Sequence, residues 1–175
     1  DYKVTGVQTC ALPISKYSIN NLCEYYLELS FRGNCLNPDR PFNCIVTKDM
    51  EKNLPLLSVY SNDIGILLLN IFDNAFKAVH QRTEKGEKGY EPKVSVSTRI
   101  LPRFIQIRVK DSGIGIQENE RLKLMTKFKS SESTIDNSVN GLAIISSILI
   151  ERNKGELKIE SEIGAGTDFY VKLFI

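Results

Sequence analysis

Apolar residues recur at Ile64, Leu67, Leu68, Ile71, Ala75 and Ala78, in steps of three and four, while Asn70, Asp73, Asn74 and Lys77 fill the other side of the same register. That spacing predicts an amphipathic helix from about Asp63 to Arg82, with one apolar face and one polar stripe. Helices are also expected at about Ile19 to Phe31 and Leu142 to Arg152, with a short one at about Asn119 to Lys127. Elsewhere the period shortens to two. Phe104-Ile105-Gln106-Ile107-Arg108-Val109 alternates as a half-buried strand and Val94 to Thr98 does the same. Further strands are expected around Asn43 to Thr47, at Leu157 to Glu162 and at Asp168 to Leu173. A sheet buried on one face under helices accounts for the alternation, giving a two-layer α/β sandwich without internal repeats.

Asparagine is a middling helix former because its amide competes for backbone groups. Asn70 and Asn74, one turn apart in an otherwise apolar helix, therefore require partners. Two readings are open. The amides could hydrogen-bond neighbouring loops, or their oxygens could coordinate a hard cation such as magnesium, with Lys77 as a point charge for phosphate. The strand through Val109 then delivers a carboxylate at Asp111, followed by Gly113 and Gly115, a spacing that suits either a turn or close backbone approach to a ligand.

In this order and spacing, the two stretches resemble the asparagine box and the first glycine box of the GHKL ATPase superfamily, which covers sensor histidine kinases, type II topoisomerases, Hsp90 and MutL. The resemblance is closest to the ATP-binding catalytic domain of bacterial sensor histidine kinases. It spans about residues 18 to 175, through NLCEYYLELSFRG, DIGILLLNIFDNAFKAV, GYEPKVSVST and the closing hairpin from Asn153 to Phe169. It implies a Bergerat fold: a mixed, mostly antiparallel sheet with helices on one face, holding ATP between the asparagine-box helix and the sheet under a lid. It also implies that Asn74 holds Mg2+, that Lys77 meets phosphate, that Asp111 accepts a hydrogen bond from the adenine amino group, and that Gly113 and Gly115 border the nucleotide. Thr167 matches a threonine beside that aspartate, and Phe128 in LMTKFKSSES resembles a lid phenylalanine. The second glycine box departs from the family's GxGLGL, reading Val139-Asn140-Gly141-Leu142-Ala143-Ile144. Gly141 and Leu142 keep part of a phosphate-binding helix start, whereas Val139 and Ala143 add side chains where the triphosphate should pass.

Asn70 separates two chemistries within that superfamily. Hydrolysing members carry a glutamate at the matching position, which can act as a base toward water, and an amide cannot. The resemblance therefore implies that Asn70 orients Mg2+ or its water, leaving the γ-phosphoryl group for transfer to a histidine by positioning and charge neutralisation. The lone histidine, His80, lacks the surroundings of a kinase phosphoacceptor and is expected at the surface, making a favourable contact at the end of its helix. The acceptor is then a histidine on a dimeric helical domain outside this sequence, feeding a response regulator, and the present chain is expected to be a monomer. Two other functions share these features: a serine kinase of the anti-sigma-factor type, and a degenerate nucleotide-binding regulatory module without phosphotransfer.

Composition narrows the remaining possibilities. With 23 basic and 21 acidic residues, a net charge of +2 makes no electrostatic case for nucleic acid or a membrane surface. The run Arg82 to Gly89 mixes signs and reads as a solvated loop. Cys10, Cys23, Cys35 and Cys44 form no CxxC pair, so neither a zinc site nor a thioredoxin-like motif is indicated; their spacing leaves a disulfide open, and reduced thiols in the cytoplasm are expected. No apolar run reaches the roughly 20 residues of a membrane helix. Residues 1–15, DYKVTGVQTCALPIS, read as a non-native leader from a translated adapter or fusion, with the catalytic domain at residues 16–175.

Overall fold

The protein is described by a computed structural model that covers residues 15–36, 42–121, 152–153 and 155–175. The polar stripe at Asn70 to Lys77 sits on helix α2 (Ser61–Glu84), which packs against helix α1 (Ile19–Cys35) and against the central sheet. Ser18 caps α1, its Oγ accepting the Asn21 amide at 3.3 Å. Ile19, Cys23 and Leu27 are buried along the helix. The expected end at Phe31 is passed by a turn, because Asn34 is anchored through Nδ2 to the Ser30 carbonyl at 2.9 Å and to Asp73 Oδ1 at 2.9 Å. A polar anchor of that kind leaves no mark in hydrophobic periodicity.

The sheet has the order β2-β4-β5-β7-β6, formed by β2 (Ile45–Asp49), β4 (Lys93–Leu101), β5 (Phe104–Asp111), β6 (Gly155–Glu162) and β7 (Gly166–Phe174). Only β2 and β4 run parallel; the other neighbours are antiparallel. Val94, Val96, Ile105, Ile107, Val109, Ile159, Phe169, Val171 and Leu173 point to the helix-covered face and are buried. This is the expected two-layer sandwich. The opposite face carries ion pairs, with Arg108 on Asp168 at 2.8 and 3.1 Å and Lys172 on Glu156 at 3.0 Å.

Two features depart from the periodic reading. Strand β2 starts at Ile45 rather than Asn43, because as a largely exposed edge strand it takes its register from pairing, Ile45 opposite Lys93, and not from burial. A second, two-stranded sheet joins β1 (Ser15–Tyr17) to β3 (Leu57–Val59), strands too short to show a period. Ser15, the last residue of the stretch read as a leader, pairs there with Val59. The longer predicted strands also extend where pairing continues past the buried residues, as in the β4–β5 hairpin that closes at Leu101 opposite Phe104. Residues 118–121 are helical, and the rest of the helix expected to Lys127 lies outside the described residues, as does the helix from Leu142 except Arg152.

Candidate functional site

Strand β5 ends on Asp111, whose parity with Ile105, Ile107 and Val109 turns its carboxylate under the helices, where the residue is 1% exposed. Oδ1 accepts the Gly113 amide at 2.7 Å and the Thr167 amide at 3.3 Å. Thr167 is the register partner of Asp111 on β7 and is itself buried. Oδ2 makes no hydrogen bond among the described residues. No buried side-chain nitrogen or oxygen among them is without a partner. Burial pushes the Asp111 carboxyl up to about 7, against the pull of the two amides toward the charged form. The site thus holds a buried acceptor fixed through Oδ1, with Oδ2 uncommitted among the described residues.

The loop after Asp111 is wedged between α2 and the β6–β7 turn. The Ile114 amide donates to the Ala78 carbonyl at 3.3 Å, and a Cβ on Gly113 would fall 2.6 Å from Ala78 backbone and side-chain atoms. Gly115 has φ +74°, and its own Cβ would lie 2.1 Å from the Glu162 carbonyl oxygen. Both glycines are required by close approach to backbone, one to a helix and one to a turn. The Gly164 amide completes the contact by donating to the Ile114 carbonyl at 2.8 Å.

On α2, Asn74 lies one turn before Ala78, so the loop's anchor on the helix adjoins the asparagine. Asn74 is half-buried and Lys77 exposed, and no side-chain hydrogen bond engages either among the described residues. Asn70 Nδ2 donates to the Ile66 carbonyl at 2.7 Å, and its Oδ1 makes no hydrogen bond among the described residues. Asp73 departs from the stripe: its Oδ1 accepts from Ser30 Oγ at 2.5 Å and from Asn34. It is a tether between the two helices, because its position turns toward α1 rather than toward the loop. Asp73→Ala is expected to lower stability by about 1–3 kcal/mol, through two lost bonds and a buried Ser30 hydroxyl left without its acceptor, with nucleotide affinity unchanged. Thermal melting beside a binding titration checks both halves.

Phe128, Gly141 and Leu142 lie outside the described residues, as do Val139 and Ala143. His80 is partly exposed, its side chain at 26%. Its ring packs on Phe42 at 4.8 Å between centroids, and α2 continues past it to Glu84.

Residues 60–175 match the family described as Histidine kinase-, DNA gyrase B-, and HSP90-like ATPase. The chain belongs to this family. Similar curated proteins include a probable C4-dicarboxylate sensor kinase of Halalkalibacterium halodurans, 31% identical over 129 residues covering 74% of this chain and 23% of that protein. The signal transduction histidine-protein kinase ArlS of Staphylococcus aureus is 31% identical over 139 residues, covering 78% of this chain and 28% of ArlS. The chain thus spans about a quarter of the length of these relatives. The fold is that of solved histidine kinase catalytic domains: ThkA superposes with a TM-score of 0.68 at 17% identity, over 93% of this chain and 96% of that one. The mycobacterial sensor histidine kinase MprB gives 0.66 at 20% identity, over 92% and 97%.

Membership of this ATPase family implies ATP as the bound nucleotide. The uncommitted Oδ2 of a buried carboxylate fits a donor such as an exocyclic amine, and the unengaged Asn74 amide and Lys77 ammonium fit a hydrated cation and phosphate oxygens. Three supports of this site escape the sequence patterns. Arg82, in the run read as a solvated loop, donates to the Ser112 carbonyl at 3.0 Å, pairs with Glu87 at 2.8 Å and lies over the Tyr90 ring at 4.4 Å. Ser161 Oγ accepts the Ile116 amide at 2.8 Å and meets Thr167 Oγ1 at 2.9 Å. Asn153 Oδ1 accepts the Tyr60 amide at 2.9 Å, holding the start of α2. Each acts across a long sequence separation, and only the glycines nearby hinted that a loop was clamped there. No helix of the described residues is long and apolar enough to cross a membrane.

Proposed function

We propose that this chain is the Mg-ATP-binding catalytic domain of a sensor histidine kinase, which transfers the γ-phosphoryl group to a histidine on a helical domain outside this sequence, for relay to a response regulator. The observation that carries the reading is the pairing of a buried Asp111 carboxylate, fixed through Oδ1, with a loop clamped to α2 one turn from Asn74. Asp111, with Thr167 opposite and Gly113 and Gly115 beside it, holds the adenine end. Asn74 supplies an amide oxygen to magnesium and Lys77 a charge to phosphate, while Phe128, Gly141 and Leu142 are assigned to the nucleotide by sequence resemblance alone. When bound, Mg-ATP supplies an electrophilic phosphoryl group whose charge the cation offsets.

Asn70 decides the outcome at the reacting end. Its Nδ2 is held by the Ile66 carbonyl, so Oδ1 is the atom free to orient a cation or its water. An amide oxygen does not take a proton from water near neutral pH, which disfavours hydrolysis and leaves transfer to an external nucleophile. Asn74→Ala is expected to bring affinity for an ATP analogue in magnesium down to its magnesium-free value, because a metal ligand is lost. An unchanged magnesium titration would remove Asn74 from the metal site.

The reading is tested by incubating the chain with γ-labelled ATP and the histidine-bearing phosphoacceptor segments of ArlS and of the C4-dicarboxylate sensor kinase. Acid-labile label on the acceptor histidine is the expected result. Label on serine would replace the histidine-kinase reading, and bound nucleotide without any transfer would reduce the chain to a regulatory module.

A further inference from the structure

Outside the nucleotide site, two cysteines meet where helix α1 ends and strand β2 begins. Cys35 is the last residue of α1 and is buried, while Cys44 immediately precedes β2 and is partly exposed; both thiols are free. The backbone brings them together, the Phe42 amide donating to the Cys35 carbonyl at 3.4 Å. Their side chains lie close enough to shift each other's ionisation, and the Cys44 thiol donates to the Ile45 carbonyl at 3.8 Å. Both border a cavity of about 750 Å³, also lined by Phe31, Phe42, Tyr90 and Pro92. No three His, Cys, Asp or Glu side chains among the described residues come together as a metal ion would require.

We propose that Cys35 and Cys44 form a reversible oxidation site for peroxides, closing a disulfide between the end of α1 and the start of β2. The roles of the two sulfurs follow from their surroundings. The hydrogen bond from Cys35 holds the Cys44 thiol below its ordinary range, the Val94 amide adding to this and burial and the Asp111 charge opposing it. The same bond, with burial, holds Cys35 above its ordinary range. Cys44 is therefore the attacking thiolate and Cys35 the resolving thiol.

In the first step Cys44 sulfur attacks one peroxide oxygen. The O–O bond breaks, Cys44 becomes a sulfenic acid, and for hydrogen peroxide the leaving hydroxide takes a proton to become water. In the second, Cys35 sulfur attacks Cys44 sulfur as the S–O bond breaks, and the departing hydroxide leaves as water with the Cys35 proton. Two thiols lose two electrons and one peroxide gains them. Cys23 serves as an internal reference: it is wholly buried, and burial pushes its thiol up to about 12.

The test is hydrogen peroxide treatment of the full chain carrying Cys10→Ser, followed by alkylation and mass spectrometry of proteolytic fragments without reductant. The expected product is one cross-linked species joining the fragments of Cys35 and Cys44, two hydrogens lighter than their sum, restored by dithiothreitol, with Cys23 alkylated throughout. Cys35→Ser is expected to trap Cys44 as sulfenic or sulfinic acid, whereas Cys44→Ser leaves Cys35 reduced at the same dose. Both thiols staying alkylatable at a dose that oxidises free cysteine would overturn the proposal. So would irreversible oxidation of both without a cross-link. The mass readout does not depend on nucleotide binding, so its failure is separate from failure of the kinase reading.

Discussion

Asp111→Asn is expected to weaken binding of a non-hydrolysable ATP analogue by about 1–3 kcal/mol, roughly 5- to 150-fold. The carboxylate is buried, its Oδ1 is already committed to the Gly113 and Thr167 amides, and only Oδ2 remains to accept from a ligand. An amide in the same place can keep the inner bonds only by presenting its NH2 outward, where a donor would face the adenine amine. Because burial lifts the carboxyl from 3.8 to about 7, pH has two opposed effects. The charged acceptor forms as pH rises through about 7, so wild-type affinity is expected to grow across that window relative to the Asn variant.

Stability moves the other way. A carboxyl whose folded pKa is raised binds more protons folded than unfolded between about pH 4 and 7. Its contribution is therefore complete below pH 4 and is lost as pH climbs toward 7. The melting temperature of wild type minus that of Asp111→Asn should fall over that range. A difference independent of pH would mean that Asp111 does not titrate there, and equal ATP affinity in both proteins would remove it from the site.

Gly166→Ala is the second large effect, and it acts on the same carboxylate through the backbone. Gly166 has φ +113°, and an added Cβ would lie 2.0 Å from the Asp111 carbonyl oxygen and 3.1 Å from Ser112 Cα. The side chain adds left-handed strain to a backbone clash that no rotamer can relieve, at a cost of roughly 2–5 kcal/mol. At this chain length that corresponds to a melting temperature lower by about 5–15 °C. Gly164→Ala is the matched control: its φ is +77° but nothing lies within 4 Å of the added atom, so only strain of about 1–2 kcal/mol is expected. Similar losses in the two variants would show that crowding against β5 is not what requires glycine at 166.

Legibility from sequence followed the range of the interactions. Helix α2 and strand β5 were readable because burial imposes a regular period on neighbouring residues, and the two-layer sandwich followed from them. Asp111, Gly113 and Gly115 stood out because a carboxylate and paired glycines after a strand are locally unusual. Asp73 looked like its stripe neighbours, since residues three and four apart share a helix face, and only the position of α1 separates the tether to Ser30 and Asn34 from Asn70, Asn74 and Lys77. Arg82 was read with the charged run around it because its partners, the Ser112 carbonyl and the Tyr90 ring, are assembled by the fold. Strands β1 and β3, three residues each, are too short for a period to mark them, although Leu57 and Val59 are buried.

The central claim is a working magnesium-nucleotide site built on Asp111 and Asn74. Calorimetric titration of the full chain with a non-hydrolysable ATP analogue, with and without magnesium and beside Asp111→Asn and Asn74→Ala, tests it most directly. The account predicts magnesium-strengthened binding to the wild type, weaker binding to Asp111→Asn, and no response to magnesium in Asn74→Ala. Absence of binding to the wild type, or binding indifferent to all three changes, would contradict it.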